Sequence, residues 1–318
     1  MDVRQLAAIV AVADHGTFSA AARALYTVQS NVSGHVAKLE RELGVILIDR
    51  SGGGLTDEGE RVVERARRVL NEIDDIAADI ASLDDEVSGD ARIGVIGTTG
   101  RWLMPELLQA VAHRHPRFHP IITEGSTTTI VPGVLTGQLN AAIVHLPIDD
   151  PELVVEPLFA EDLFLLVPHG HHLAARLDGI EQLALRDLHE LPLLLPPKGT
   201  ALRRVLDRAA AGSNATLRAQ AEIDGVRLLS SLAIDGFGPA IVPATATPRY
   251  LEGRFKRISV PELPRRVVAL IRRRRPAPSA ATTALTETLG AVVATHATEQ
   301  PGVHVGSAAF PATTPRPA

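Results

Sequence analysis

Apolar positions in residues 1–58 come in short blocks at helical spacing. Leu6, Ile9, Val10 and Ala13 recur at i, i+3, i+4 and i+7, which predicts an amphipathic first helix ended by Gly16. Thr17 or Ser19 can cap a second helix over 19–26, where Ala20-Ala21-Ala22 allows another helix to pack closely. A turn near Tyr26-Thr27 leads to a third helix over about 29–43, striped with Val32, Val36, Leu39 and Leu43 and stopped by Gly44. Residues 46–49 and Leu55-Thr56 flank Arg50-Ser51-Gly52-Gly53-Gly54 and read as a small β-wing with a flexible tip. Beyond it, Val62, Ala66, Val69, Ile73, Ile76, Ile80 and Leu83 step by four and three, the a/d pattern of a helix–helix seam. A helix over 55–83 would be a rod of about 40 Å.

From about residue 91 the texture changes to apolar runs alternating with helical stretches, as a layered α/β domain requires. The strand candidates are 92–96, 121–124, 141–145, 163–167, 193–195, 240–242 and 267–271. After about 296 the chain is rich in Pro, Ala, Thr and Gly with few large apolar residues, and 296–318 reads as a disordered tail.

The third helix turns Gln29, Ser30, Ser33, Gly34, His35 and Lys38 away from its apolar stripe. Amides, hydroxyls and cations are what read base edges in a major groove. The plainer alternative is a solvated polar face. Two short helices joined by a tight turn, followed by a wing with Arg50, favour a helix-turn-helix that touches DNA. The charge of this segment opposes that view: residues 1–58 hold five basic and seven acidic side chains. Affinity would then come from locally placed cations, helix N-termini on phosphates and linked copies of the domain, with a shallow salt dependence.

These blocks resemble the LysR-type transcriptional regulators. Gly16-Thr17-Phe18-Ser19-Ala20-Ala21-Ala22-Arg23-Ala24-Leu25, Gln29-Ser30-Asn31-Val32-Ser33 and Leu39-Glu40-Arg41-Glu42-Leu43-Gly44 follow the family's pattern in register, as do Leu47-Ile48-Asp49-Arg50 and Leu55-Thr56-Asp57-Glu58-Gly59. Ile48 replaces the family's usual Phe, and Gly34 and His35 stand where a basic residue and a glutamine are common, so an operator sequence does not transfer. The resemblance implies an α+β multidomain chain: a winged helix-turn-helix over 1–58, a dimerisation helix over 59–86, and an effector-binding domain over 91–295. That domain would have two α/β lobes, similar to type 2 periplasmic binding proteins, lobe I over about 91–163 and 266–295 and lobe II over about 164–265. It further implies contact with double-stranded DNA through Thr17, Ser19, Gln29, Ser30, Asn31, Ser33, His35, Lys38 and Arg50. The Val62–Leu83 seam would pair two chains, as a homodimer or homotetramer.

The C-terminal resemblance rests on landmarks: Ala91-Arg92-Ile93-Gly94-Val95-Ile96-Gly97, His115-Pro116-Arg117-Phe118, Leu135-Thr136-Gly137-Gln138-Leu139-Asn140-Ala141-Ala142-Ile143 and Gly236-Phe237-Gly238-Pro239-Ala240-Ile241-Val242-Pro243. Independently, Thr98-Thr99-Gly100-Arg101 and Ser126-Thr127-Thr128-Thr129 each follow a strand and open a helix, while Pro197-Lys198-Gly199-Thr200 begins a helix with Arg203. Unpaired N–H groups, hydroxyls and cations at strand ends suit a small anionic or carboxylate effector, and ordinary N-capping is the equal alternative for each cluster. The candidate effector residues are Thr98, Thr99, Arg101, Ser126, Thr127, Thr128, His145, Lys198, Thr200 and Arg203.

Composition narrows the classes. There is no cysteine, so disulfides, thiolate metal sites and cysteine nucleophiles are excluded. No apolar run approaches the roughly 18 residues of a membrane span, and the N-terminus lacks a signal-peptide pattern; a cytoplasmic chain is expected. His169, His171 and His172 have no acidic partner at a metal-binding spacing and read as a surface loop, and Arg272–Arg275 reads as a solvated strand end. No nucleophile elbow, zinc-protease motif or P-loop occurs, and Gly94, Gly97 and Gly100 lack dinucleotide spacing. A regulator without cofactor or metal is expected. The competing reading is a solute-binding or catalytic α/β protein whose N-terminal helices only dimerise.

Overall fold

A computed structural model of the chain describes residues 1–49, 54–82, 87–189, 191–306 and 310, with the side chains of 77–79, 81 and 82 left aside. Helix α1 (Val3–His15) is capped by Asp2, whose side chain accepts from Gln5 N–H, and ends at Gly16 in the left-handed conformation (φ 73°). Thr17, and not Ser19, caps α2 (Phe18–Ala24). Helix α3 (Gln29–Leu43) stops at Gly44, also left-handed. Strands β1 (Ile48–Asp49) and β2 (Gly54–Leu55) pair antiparallel as the wing, with Ile48 opposite Leu55. Helix α4 (Asp57–Ser82) follows.

The head's core is built from Leu6, Ile9, Val12, Val32, Val36, Leu39, Leu47 and Ile48, closed by Val63 and Ala66 of α4. Leu43, expected on the stripe, is exposed, and Val10 and Ala13 are only partly covered. Helix α1 packs against α2, α3 and α4, so its buried face is wider than one stripe and takes in Gln5, Ala8 and Ala11.

The first α/β layer holds β3 (Ser88–Ile96), α5 (Gly97–Arg114), β4 (Arg117–Gly125), α6 (Thr127–Thr136), β5 (Ala141–His145) and β6 (Leu153–Glu161). Asp162 alone separates β6 from β7 (Leu163–Pro168), which begins the second layer. There follow α7 (His172–Arg176), β8 (Pro192–Leu195), α8 (Ala201–Gly212), β9 (Arg218–Glu222), α9 (Val226–Ile234), β10 (Ala240–Pro243) and β11 (Phe255–Ser259). The chain then returns through β12 (Arg266–Arg273), α10 (Ala280–His296) and β13 (Val303–His304). The sheets are ordered β13-β6-β12-β5-β3-β4 and β11-β7-β10-β8-β9. In the first, β3 runs parallel to β4 and β5, and β12 runs antiparallel to β5 and β6.

Strand β7 is buried at every position. Phe164 and Leu166 join one core while Leu163, Leu165 and Val167 join another. That two-sided burial is why it reads as a continuous apolar run. The first of these cores runs unbroken from Ile93, Leu103 and Ile143 in lobe I to Leu194, Leu229 and Val242 in lobe II, so the lobes are closed on each other.

The stretch after 296 departs from the disordered tail expected for it. Gln300 donates to the carbonyls of Ala244 (2.8 Å) and Thr247 (3.2 Å), and β13 pairs with β6 at the sheet edge. Phe310 packs by Ala160 and Val267. Backbone pairing and one buried amide dock a segment whose composition alone could not. Residues 307–309 and 311–318 lie outside the described residues.

Candidate functional site

In the head, α3 exposes Gln29, Ser30, Asn31 and Lys38 and half-covers Ser33 and His35. Val28, at its N-cap, provides no side-chain acceptor, so no side chain caps the first N–H groups of the helix, and that of Asn31 donates to the Val28 carbonyl (3.0 Å). Asn31 is tied back to Thr27 Oγ1 at 3.0 Å. Thr17 and Ser19 are exposed at the start of α2. Arg50 falls outside the described residues. Several acids of the segment have structural work: Asp2 caps α1, Glu40 accepts from the N–H groups of Leu47 (2.9 Å) and Ile48 (3.3 Å), and Asp14 pairs with Arg67 of α4. The net charge of 1–58 therefore omits the cation that α4 returns to the head.

The linker seam splits in two. Val62 and Ala66 pack on the head's own core. Val69, Ile73, Ile76 and Ile80 stay 40–65% exposed on one side of α4, an apolar stripe only partly covered by the described residues. Leu83 lies outside the described residues. Helix α4 also docks on lobe I. Arg68 donates to the Leu135 carbonyl at 2.8 Å and pairs with Glu64 and Glu152, and Asn71 donates to the Gly137 carbonyl. Gly137 (φ 82°) is the left-handed C-cap of α6, and a Cβ there would stand 3.3–3.4 Å from Arg273, Arg68 and Asn71. Three donors from α4 and β12 thus converge on the negative end of α6. Burial first, and Arg68 second, pull the Arg273 guanidinium below its ordinary value. A groove of about 490 Å³ opens beside this contact, lined by Asp14 of α1, Asn71 and Asp74 of α4, and Thr123 and Gln138 of lobe I among others.

The three predicted effector clusters meet different fates. At α6 the hydroxyls are consumed: Ser126 caps the helix and bonds Thr128 (2.8 Å) and Thr129 (3.1 Å), and Thr127 accepts from His145 N–H (3.1 Å). At α8, Thr200 caps, and Arg203, only 6% exposed, donates to Asp207 (2.8 Å), Glu222 (3.1 Å) and the Pro196 carbonyl (3.0 Å). Burial opposes the charge on Arg203, but the two carboxylates more than offset it and raise its pKa. Lys198 is exposed.

At α5 the opposite holds. No side chain caps the helix, Thr98 and Thr99 are buried, and the Thr99 hydroxyl has no hydrogen-bond partner among the described residues. Arg101 crosses to lobe II and donates to the Ala246 carbonyl. Burial lowers its pKa, and nearby Arg227 adds to that while Tyr250 opposes it. Glu124, at the end of β4, bridges the lobes by pairing with Arg227 at 2.9 Å. Gly97 makes room for this bridge: a Cβ would come within 2.6 Å of Glu124 Oε1.

His145, predicted as an effector ligand, takes another partner at the hinge. Its ring contacts Arg266, which also faces Glu161 at 3.4 Å, and Glu161 in turn accepts from Thr245 N–H (3.1 Å) and hydroxyl (2.8 Å) across the lobes. Burial, with Arg266 beside it, holds His145 well below its ordinary pKa. In its neutral form the ring has a nitrogen able to accept from the guanidinium. The sequence reading missed Glu161, Arg227 and Arg266, whose roles depend on non-local pairing. The 169–172 loop stacks His171 on His172 and caps α7 with His171. The arginine run is not simply solvated: Arg272 pairs with Glu156, Arg273 is buried, and Arg274 donates to the carbonyls of Pro151 and Leu153.

Residues 84–294 match the family described as LysR substrate binding domain, and residues 3–60 match bacterial regulatory helix-turn-helix protein, lysR family. The chain is 35% identical over 261 residues to a probable hydrogen peroxide-inducible genes activator of Streptomyces viridosporus, covering 79% of this chain and 82% of that protein. Among solved structures it is similar to a full-length OxyR cysteine-to-aspartate variant from Pseudomonas aeruginosa, with 26% identity and a TM-score of 0.70 over 92% of this chain and 94% of that one. It also shares its fold with CbnR complexed with its target DNA (TM-score 0.64, 23% identity, 93% and 99% covered). Among the described residues no helix is long and apolar enough to cross a membrane.

Proposed function

The chain belongs to the LysR family of transcriptional regulators, and from that premise we propose how its residues carry ligand-responsive DNA binding. The helix-turn-helix match over 3–60 removes the competing view of an α/β protein whose first helices only dimerise. The chain is a regulator, not an enzyme. In our reading Gln29, Ser30, Asn31, Ser33, His35 and Lys38 face the major groove, Thr17 and Ser19 approach the backbone, and Arg50, which lies outside the described residues, is a further DNA contact. Val69, Ile73, Ile76 and Ile80 pair two chains and set two recognition helices about one helical turn apart. The compartment we assign is the cytoplasm.

The effector is a small anion, a carboxylate first among candidates, held between the lobes at the start of α5. One observation carries this: Thr99 keeps a buried hydroxyl without a partner at an uncapped helix N-terminus. A buried donor left unmade is costly, and a ligand oxygen would satisfy it. Arg101 and Arg227 supply charge to the same place, opposed by one carboxylate, Glu124. Anion binding then releases Glu124 and changes lobe closure. Helix α6 runs from this cleft to the clasp made by Arg68 and Asn71, and so supports a route to the linker helix. The coupling requires different ligand affinity in the two closures.

The peroxide response named for the Streptomyces relative does not transfer as thiol chemistry. Peroxide oxidises cysteine thiolates, and this chain contains no cysteine. The test is a thermal-shift screen of the full chain against carboxylates and inorganic phosphate, followed by mobility shifts on DNA upstream of its own gene. We expect one carboxylate both to raise the melting temperature and to change the shifted complex. Absence of a specific shift across that DNA at low salt counts against the reading.

A further inference from the structure

The turn between α2 and α3 holds a side chain that its backbone disfavours. Tyr26 stands at φ 51°, in the left-handed region that sterics leave to Gly, Asn and Asp. The turn itself is fixed by main chain: Tyr26 N–H donates to the Arg23 carbonyl at 3.2 Å and Thr27 N–H to the Ala22 carbonyl at 2.9 Å. The tyrosine ring contributes no packing in return. It is 98% exposed, and no hydrogen bond of its hydroxyl is found among the described residues. Glycine or asparagine would build the same turn with less strain.

A large side chain that strains its backbone and is left 98% exposed is explained by something outside the protomer. Its position says what. Tyr26 lies three residues before Gln29, beside the end of α3 where no side chain caps the N–H groups. A helix N-terminus and a phenol O–H are both donors, and phosphate oxygens accept from both. A protein partner fits less well, because the polar start of α3 adjoins the ring and would be buried unpaired. The segment 1–58 also carries more acidic than basic residues, so neutral donors must supply part of its hold on a polyanion.

We propose that Tyr26 is a DNA-backbone contact: its hydroxyl donates to a phosphate oxygen beside the groove that α3 enters, and the left-handed turn fixes how deep that helix sits. This rests on the DNA-binding reading above. Because the donor is neutral it displaces no counterion, so it adds affinity without steepening the salt dependence.

Full-length Tyr26→Asn and Tyr26→Phe variants test it against two duplexes, one from upstream of the chain's own gene and one of mixed sequence. Asparagine accepts the turn, so Tyr26→Asn should melt no lower than the parent yet bind both duplexes about 10-fold more weakly. Tyr26→Phe keeps the ring and should lose about 3-fold. The slope of log K against log salt should be unchanged in both. Parental affinity in Tyr26→Asn, parental affinity in Tyr26→Phe, weakening confined to the upstream duplex, or a shallower slope would each overturn the phosphate contact. A parent chain that binds neither duplex would instead overturn the DNA-binding reading itself. Should Tyr26→Asn melt lower, Tyr26→Phe alone decides.

Discussion

Helices α5 and α8 begin with similar chemistry and use it in opposite ways. Each follows a strand and offers at least one threonine hydroxyl and an arginine near its start. In α8, Thr200 caps the helix and Arg203 spends its guanidinium on Asp207, Glu222 and a carbonyl. In α5, no side chain caps, Thr99 is left without a partner, and Arg101 has a single carbonyl across the lobes. Residue type alone therefore does not separate the two, and the site we propose at α5 rests on hydrogen-bonding capacity that the fold has buried and not used. The cluster at α6 sides with α8, since Ser126 and Thr127 bond within the chain.

The largest effect that separates the two helices is on stability. Arg203→Ala removes a 6% exposed side chain with three acceptors. Its carboxylate partners are partly solvated, so the loss should be about 3 kcal/mol, the low end for breaking a buried pair. Urea unfolding should show a lower midpoint, while the folded variant keeps the parent's response to a carboxylate. An abolished response in a folded protein would place the effector at α8. Arg101→Ala should reverse the pattern: little change in midpoint, and about 30-fold weaker carboxylate binding by calorimetry, on the order of 2 kcal/mol for a charge-assisted hydrogen bond. Unchanged affinity would remove α5 from the site.

Thr99→Val sharpens the contrast because its two effects have opposite signs. The substitution keeps shape and deletes a buried hydroxyl that bonds nothing. Stability should hold or rise by up to about 1 kcal/mol, since an unsatisfied buried group is removed. Carboxylate affinity should fall about 5-fold. A destabilised Thr99→Val would mean that the hydroxyl has a partner in the unliganded protein.

How much of this could be read beforehand follows how local the signal is. The bounds of α3, its Gly44 stop and the Gly16 stop of α1 depend on neighbours in sequence and were legible there. So was the apolar step pattern of α4, though not its division into a part packed on the head and a part left exposed. Strand β9, Arg218-Ala219-Gln220-Ala221-Glu222, carries no large apolar residue because it is a sheet edge, and it was missed. Strand β13 and Gln300 order a segment by backbone pairing, which composition does not record. His145 looked like a cleft residue at a strand end. Its actual partner, Arg266, lies far along the chain, and only the antiparallel pairing of β5 with β12 brings them together.

The smallest expected effect bears most directly on what an anion would displace. Glu124 and Arg227 are each about half exposed, at 49% and 47%, so their pairing contributes little to folding, on the order of 0.5 kcal/mol. Its weight is electrostatic and local. While Glu124 holds Arg227 it cancels one of the two cations near Thr99, and in the site we propose an incoming carboxylate would take its place. Glu124→Gln keeps the size of the side chain and removes the charge, leaving Arg227 to the ligand. The carboxylate that shifts the parent's melting curve should then bind about 3-fold more tightly, with the urea midpoint nearly unmoved. The same change made at Glu222 should lower stability and leave carboxylate affinity alone, because Arg203 is buried where no ligand is called for. Weaker binding in Glu124→Gln would show that Glu124 receives a donor from the effector, and the ligand would then be an amine-bearing molecule and not a simple anion.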